Sequence, residues 1–193
     1  MNSAGKIIIF TAPSGSGKTT LAKHALSLFP ELSFSVSATT RKPRPNEMDG
    51  KDYYYISHDQ FNSLIEDHKL FEYQEVYSNQ YYGTLNAELE RIWEAEKVAL
   101  FDIDVMGAYR IEQMKQKNVL TIFIKTSSLD VLRTRLVNRA SDSEESIEKR
   151  LERASKELEY AKYFDYVITN DRLELAKKMV EIIIADFLLQ PNN

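Results

Sequence analysis

The apolar run Ile7-Ile8-Ile9-Phe10 leads through Thr11 directly into Ala12-Pro13-Ser14-Gly15-Ser16-Gly17-Lys18-Thr19-Thr20. That order predicts a buried strand, a tight loop of small residues and a helix start, the sequence form of a phosphate-binding P-loop. Small residues let backbone N–H groups turn inward around a polyphosphate. The helix adds its unpaired N-terminal amides and the positive end of its dipole. In this frame Lys18 reaches the β and γ phosphates and Thr19 offers its hydroxyl to Mg²⁺. The pattern G-x-x-x-x-G-K-[ST] asks for glycine at position 12, where this chain has alanine. Alanine fits wherever φ is negative, so Ala12 matters only if that position needs the left-handed region.

Bulk properties narrow the setting. A chain of 193 residues is long enough for one domain with a sizeable core and a small insertion. A formal net charge of −4 argues against a general nucleic-acid surface. With no cysteine, disulfides and thiolate metal sites are excluded. His24, His58 and His68 lie far apart with no metal-ligand spacing. No signal-peptide pattern precedes the first strand, and every apolar run is far shorter than the about 18 residues that cross a membrane. The expectation is a cytoplasmic monomer or homodimer acting on small molecules, with no nucleic-acid or membrane partner.

Periodicity orders the rest. Leu21, Ala22, Ala25, Leu26 and Phe29 predict a helix stopped by Pro30. Ser33 to Thr39 alternates and predicts one strand, and residues 41–52 form a polar loop. Tyr53 to Ile56 reads as a short strand. Ser57 with Gln60 forms a capping box for a helix carrying Phe61, Leu64 and Ile65. Leu70 to Tyr82 is extended with a turn near Ser78-Asn79, and Asn86 to Glu96 is helical. Val98 to Phe101 is a buried strand ending at Asp102. A helix over Gly107–Lys117 and a strand over Val119–Lys125 follow. Leu129, Leu132 and Leu136 mark the next helix, and Ile147, Leu151, Ala154, Leu158 and Ala161 form a helical stripe. Tyr166–Thr169 is a last strand and Leu173–Leu189 a closing helix. Strands near 7, 36, 99, 121 and 167 separated by helices predict an α/β fold with a parallel sheet covered on both faces. Residues 1–35 and 85–193 then form a P-loop core with a helical lid at about 139–157, and residues 36–84 an inserted β-rich lobe.

Four further groups carry chemistry. Arg41-Lys42-Pro43-Arg44 holds three cations in a proline-stiffened loop, and guanidinium forks suit a terminal phosphate. A lone strand carboxylate such as Glu72 ordinarily faces solvent, yet beside hydroxyls it matches guanine. It accepts from N1–H and N2–H₂ while Ser37 and Thr84 donate to O6. Adenine lacks that donor pair. Asp102 and Asp104 end an apolar strand, where a carboxylate holds Mg²⁺ through water. One of the two serves the metal and the other the acceptor nucleotide; the alternative is a pair of helix N-caps. Arg135, Arg139 and Arg150 flank the polar stretch 139–146 and suit charge cancellation on a transferring phosphoryl group. The competing use is helix salt bridging to Glu144, Glu145 or Glu148.

In combination these residues resemble the guanylate kinase family from the P-loop to Asn170. The motifs are Ala12 to Thr20, Ser35-Val36-Ser37-Ala38-Thr39-Thr40-Arg41-Lys42-Pro43-Arg44, Asp49-Gly50-Lys51-Asp52-Tyr53-Tyr54, Glu72, Tyr82-Gly83-Thr84, Asp102-Ile103-Asp104, Arg135, Arg139, Ser143 to Leu151 and Asn170-Asp171. The resemblance implies a P-loop core, a GMP-binding lobe and a lid, and transfer of phosphate from ATP to GMP with Mg²⁺. By family position, Ser37, Arg41, Arg44, Tyr53, Glu72, Tyr82, Thr84 and Asp104 bind GMP. Ala12, Pro13, Ser14, Gly15, Ser16, Gly17, Lys18, Thr19, Thr20 and Asn170 bind ATP, with Asn170 near the adenine. Lys18, Arg41, Arg135, Arg139 and Arg150 act on the transferring phosphate, and Thr19 and, through water, Asp102 serve the metal. Ala12 and one extra residue in the turn before Tyr81 depart from the family pattern.

Overall fold

The structure, a computed structural model, describes residues 5–138 and 143–191. The first third of the chain gives β1 (Ile7–Thr11), α1 (Lys18–Leu28), β2 (Leu32–Phe34), β3 (Ser37–Thr39), β4 (Tyr54–Tyr55) and α2 (His58–Glu66). Next come β5 (Leu70–Tyr77), β6 (Gln80–Leu85), α3 (Asn86–Glu94), β7 (Val98–Asp102) and α4 (Val105–Gln113). The chain ends with β8 (Val119–Lys125), α5 (Leu129–Asn138), α6 (Glu144–Leu158), a short 3₁₀ turn, β9 (Tyr166–Thr169) and α7 (Leu173–Leu189).

Five strands form a parallel sheet in the order β2-β7-β1-β8-β9. β1 is central, and all five of its residues are buried. Its side chains alternate between two cores, as strand geometry requires. Ile8 and Phe10 pack with Leu21 and Ala25 of α1 and Val180 and Ile184 of α7. Ile7 and Ile9 pack on the other face with Leu89 and Ile92 of α3 and Ile111 of α4. A third cluster, Leu132, Leu136, Ile147, Leu151 and Ala154, joins α5 to α6.

The second sheet runs β4-β3-β6-β5. β6 lies between β3 and β5 and is antiparallel to both. The expected capping box is present at α2: Ser57 accepts from the Gln60 amide, and the Gln60 side chain accepts from the Ser57 amide.

Two boundaries differ from the sequence reading. The single strand expected over Ser33–Thr39 is two strands in two sheets. The Ser35 amide makes its bond to Leu100 O, beside the main sheet. The next amide, Val36, donates instead to the buried carboxylate of Glu88 on α3 at 2.9 Å, and the chain crosses over there. The main-sheet strand is therefore centred on Ser33 rather than Val36. The helix expected over Gly107–Lys117 starts at Val105, because Asp104 caps it by accepting from the Met106 and Gly107 amides.

The C-terminal helix is anchored by a buried cation. Lys6, only 8% exposed, donates from Nζ to the carbonyls of Phe187 at 2.8 Å, Leu188 at 3.1 Å and Gln190. These are groups that a helix C-terminus leaves without partners. Burial holds the Lys6 pKa below its ordinary value. Lys6→Met keeps the stem and removes the donors. It is expected to cost about 2 kcal/mol, a fall in Tm of about 4–8 °C for a chain of this length. An unchanged thermal unfolding curve refutes the anchor.

Candidate active site

The P-loop leaves β1 after Thr11 and enters α1 at Lys18. Gly15 and Gly17 adopt φ of 94° and 93°. A Cβ on Gly17 would lie 2.3 Å from Asn170 Nδ2, and one on Gly15 would lie 3.0 Å from Leu136, so both positions demand glycine. Ala12 is not among the positive-φ residues and is buried, so alanine there is unstrained.

The end of β7 sits beside the loop, since Asp102 pairs in register with Phe10. Lys18 Nζ is ion-paired with the Asp102 carboxylate and donates to Ile103 O at 3.0 Å. Thr19 Oγ1 donates to Asp102 Oδ2 at 3.0 Å. Asp102 and Asp104 diverge because β7 ends at Asp102; residues two apart in a continuing strand would share a face, but Asp104 has already turned to cap α4. Asp102 faces the P-loop, whereas Asp104 caps α4 with bonds of 2.9 and 3.2 Å. The N-cap alternative thus applies to Asp104 and not to Asp102.

Across a cleft of about 960 Å³ stands the second sheet. Strand register collects the base-reading candidates: Thr84 on β6 pairs with Ser37 on one side and Glu72 on the other. Glu72 is 7% exposed rather than solvent-facing, and its Oε1 accepts from Thr84 Oγ1 at 2.9 Å. The Thr84 proton is committed there, so of these two hydroxyls Ser37 is the one that lines the cleft. A Cβ on Gly107 would lie 2.9 Å from Glu72 Oε2 and 3.5 Å from Asp104 Oδ2, so the α4 N-terminus packs directly on this corner. Burial pushes the Glu72 carboxyl up to about 7, against the pull of Thr84 and with help from the negative charge of Asp104.

The arginines divide. Arg44 is exposed and lines the cleft with Tyr53 and Tyr82. Arg41 does not line it. Its guanidinium donates to both oxygens of Glu47 at 2.8 and 3.0 Å and to Tyr82 Oη at 3.1 Å, and lies over Tyr53. The Arg41 pair holds Glu47 well below the usual carboxylate range, at about 2. Arg135 Nη2 donates to Asn170 O at 2.6 Å, and Arg150 Nη1 to Ser14 Oγ at 3.0 Å. The salt bridges weighed for these cations fall to Arg133, paired with Glu144 and Glu148, and to Lys149, paired with Glu145. Arg139 lies outside the described residues.

Asn170 lies against the P-loop. Its side chain is buried, and Nδ2 donates to Ser16 O at 2.8 Å, supporting the P-loop from behind. Three cleft or cleft-wall residues escaped the sequence reading: Glu47, Arg153 and Glu157. Glu157 follows Arg153 by one helical turn, and that i,i+4 charge spacing was the available signal.

A P-loop with an adjacent carboxylate, facing a separate hydrogen-bonding sheet across one cleft, defines a P-loop phosphotransferase of the nucleoside monophosphate kinase class. A family model described as guanylate kinase matches residues 4–187. The guanylate kinase of Bacteroides fragilis is 43% identical over 183 residues, covering 95% of this chain and 90% of that protein. That of Porphyromonas gingivalis is 43% identical, covering 95% and 98%. The crystal structure of guanylate kinase from Anaplasma phagocytophilum superposes with a TM-score of 0.76 at 31% identity, covering 96% of this chain and 88% of that one. The chain belongs to the guanylate kinase family.

The raised carboxyl of Glu72 makes a prediction about stability. Its folded-state pKa of about 7 lies above the ordinary 4.5. The stability it contributes is therefore full below pH 4.5 and lost as pH rises through 7. Glu72→Gln is expected to raise Tm at pH 8 by a few degrees, at about 2–4 °C per kcal/mol, and by clearly less at pH 5. Equal gains at both pH values in thermal denaturation contradict a protonation-linked cost.

Proposed function

We propose that this chain transfers the γ-phosphoryl group of ATP to the 5′-phosphate of GMP, and of dGMP, by in-line displacement. The observation that carries this reading is the register that sets Ser37, Thr84 and Glu72 side by side, across a single cleft from Lys18. A carboxylate held on the sheet answers the donor pair of guanine, and the Ser37 hydroxyl beside it answers the acceptor. The acceptor phosphate oxygen is already a nucleophile, so no protein base is needed and catalysis is positioning plus charge neutralisation.

In this proposal residues 36–84 form the acceptor lobe and about 139–157 the lid, on a core of residues 1–35 and 85–193. The P-loop residues Ala12 to Thr20 cradle the donor phosphates, and Asn170 serves the donor through the loop it supports. Ser37, Glu72, Thr84 and Asp104 form the base pocket. Arg44, Tyr53 and Tyr82 meet the acceptor phosphate from the cleft wall, and Arg41 joins them when the phosphate displaces or shares Glu47. Lys18, Arg41, Arg135, Arg139 and Arg150 neutralise the group in flight.

Thr19 and Asp102 fit Mg²⁺, since a hydroxyl and a carboxylate 3.0 Å apart present hard oxygen donors. Among the described residues no cluster of three or more His, Cys, Asp or Glu could hold a metal by itself, so phosphate and water oxygens would complete the shell. When bound, the ion neutralises charge on the donor phosphates. A cytoplasmic location and a monomer or homodimer belong to the same proposal; no helix among the described residues is long and apolar enough to cross a membrane.

Turnover with ATP and each of GMP, dGMP, AMP, CMP and UMP tests the reading, and activity confined to the guanine nucleotides is expected. Lys18→Met is expected to lower kcat by about 10³-fold with an unchanged melting curve. Glu72→Ala is expected to reduce the preference for GMP over AMP by about 10²-fold or more while ATP affinity stays within about twofold. Wild-type turnover in the first variant removes the lysine from the mechanism, and equal loss of GMP and ATP binding in the second removes guanine readout by Glu72.

A further inference from the structure

Two arginines one turn apart on α6 reach opposite ends of the cleft. Arg150 donates to Ser14 Oγ in the P-loop at 3.0 Å. Arg153 donates from Nη1 to Val76 O on β5 at 2.9 Å. Val76 sits where the β5–β6 ladder breaks register, between the pairs Glu75↔Tyr81 and Tyr77↔Gln80. A bulge of this kind takes a residue out of the ladder and leaves its carbonyl to another donor. Arg153 also donates from Nε to Glu157 Oε1 at 2.6 Å. Glu157 is 8% exposed and lies within electrostatic reach of Asp104 and Lys18. A planar guanidinium held at two of its edges by two different elements is fixed in direction.

We propose that Arg153, oriented by Glu157, is a positioning residue that couples the acceptor site to the donor site through α6. β5 carries Glu72, and the P-loop carries Lys18. Helix α6 is a rigid rod that touches both, so it sets the separation of the two nucleotides. This inference rests on the phosphoryl-transfer reading above. In-line transfer is sensitive to that separation, and a displacement of about 1 Å costs on the order of 10²-fold in rate. By linkage, whatever tightening the donor gives the acceptor, the acceptor returns to the donor.

The test combines steady-state kinetics with titrations of GMP, with and without a non-hydrolysable ATP analogue, on wild type, Arg153→Met, Arg153→Lys and Glu157→Gln. Arg153→Met is expected to lower kcat by about 10–100-fold, with Kd for each nucleotide alone within about twofold and Tm unchanged. The mutual tightening of the two ligands seen in wild type is lost. Arg153→Lys recovers only a minor part of the rate, because an ammonium does not hold both partners. Glu157→Gln moves the same quantities in the same direction and serves where Arg153→Met does not fold. Three outcomes overturn the inference: wild-type kcat in Arg153→Met, parallel loss of kcat, both affinities and Tm, or no mutual tightening in wild type. Absence of GMP turnover in wild type overturns the functional reading itself, a result distinct from normal wild-type turnover with a normal Arg153→Met.

Discussion

The site depends on β1 lying in the middle of a parallel sheet. In such a sheet the carboxyl ends of neighbouring strands face one crevice, so the end of β1 and the end of β7 deliver their residues to the same place. The register Phe10↔Asp102 sets a carboxylate beside the loop that follows Thr11. Thr11 Oγ1 donates to Ile103 O at 3.1 Å and ties the two exits together. Lys18 and Thr19 then meet Asp102 from the first turn of α1. A slip of one residue would turn Asp102 to the opposite face and leave the P-loop lysine without its carboxylate. The apolar cores on both faces hold that register, because the same slip would also exchange Ile8 and Phe10 with Ile7 and Ile9.

What the sequence makes legible is what local patterns determine. The P-loop, the Ser57 capping box and the limits of α7 follow from spacing within a few residues, and the structure bears them out. The parallel sheet follows from uninterrupted apolar runs. The split between β2 and β3 is invisible locally, because alternation reads the same in either sheet. What divides them is a distant carboxylate, Glu88, taking the Val36 amide. The burial of Glu72 is hidden for the same reason: a strand glutamate looks exposed until the α4 N-terminus is known to pack on it. Asn170 is recognisable as a family position, yet its contact with Ser16 spans the whole fold. Arg153 and Glu157 show as a helical charge pair, but the bulge at Val76 that gives the pair a partner belongs to another element.

The cleft sets carboxylates among the cations Lys18, Arg44, Arg135, Lys149, Arg150 and Arg153 that line it. Glu72, Asp102, Asp104 and Glu157 all line it. Each has a task that a neutral side chain would perform less well. Asp102 pairs with Lys18, Asp104 caps α4, Glu157 accepts from Arg153, and Glu72 accepts from Thr84. Burial raises the carboxyls of both Glu72 and Glu157, a cost in stability concentrated where the chemistry is. The three apolar clusters offset that cost, each reaching the cleft wall through one residue: Ala12, Ile103 and Leu136.

Arg41 shows how such pairing sets the terms of binding. Its fork is filled by Glu47, which also accepts from the Arg44 amide at 2.7 Å and from Tyr55 Oη at 2.9 Å. Glu47 thus fixes the loop that carries both cations. Any phosphate brought to this guanidinium competes with a carboxylate for it, since both anions can accept two parallel N–H bonds from the fork. With its carboxyl held at about 2, Glu47 stays ionised across neutral pH, so the competition is decided by geometry and charge rather than by protonation. Arg44 meets the same carboxylate only at 4.0 Å, and its exposed side chain lines the cleft. The two arginines are three residues apart in one loop, but the carboxylate they share leaves them differently available: Arg44 stands exposed at the cleft, and the Arg41 fork opens only to what displaces or shares Glu47.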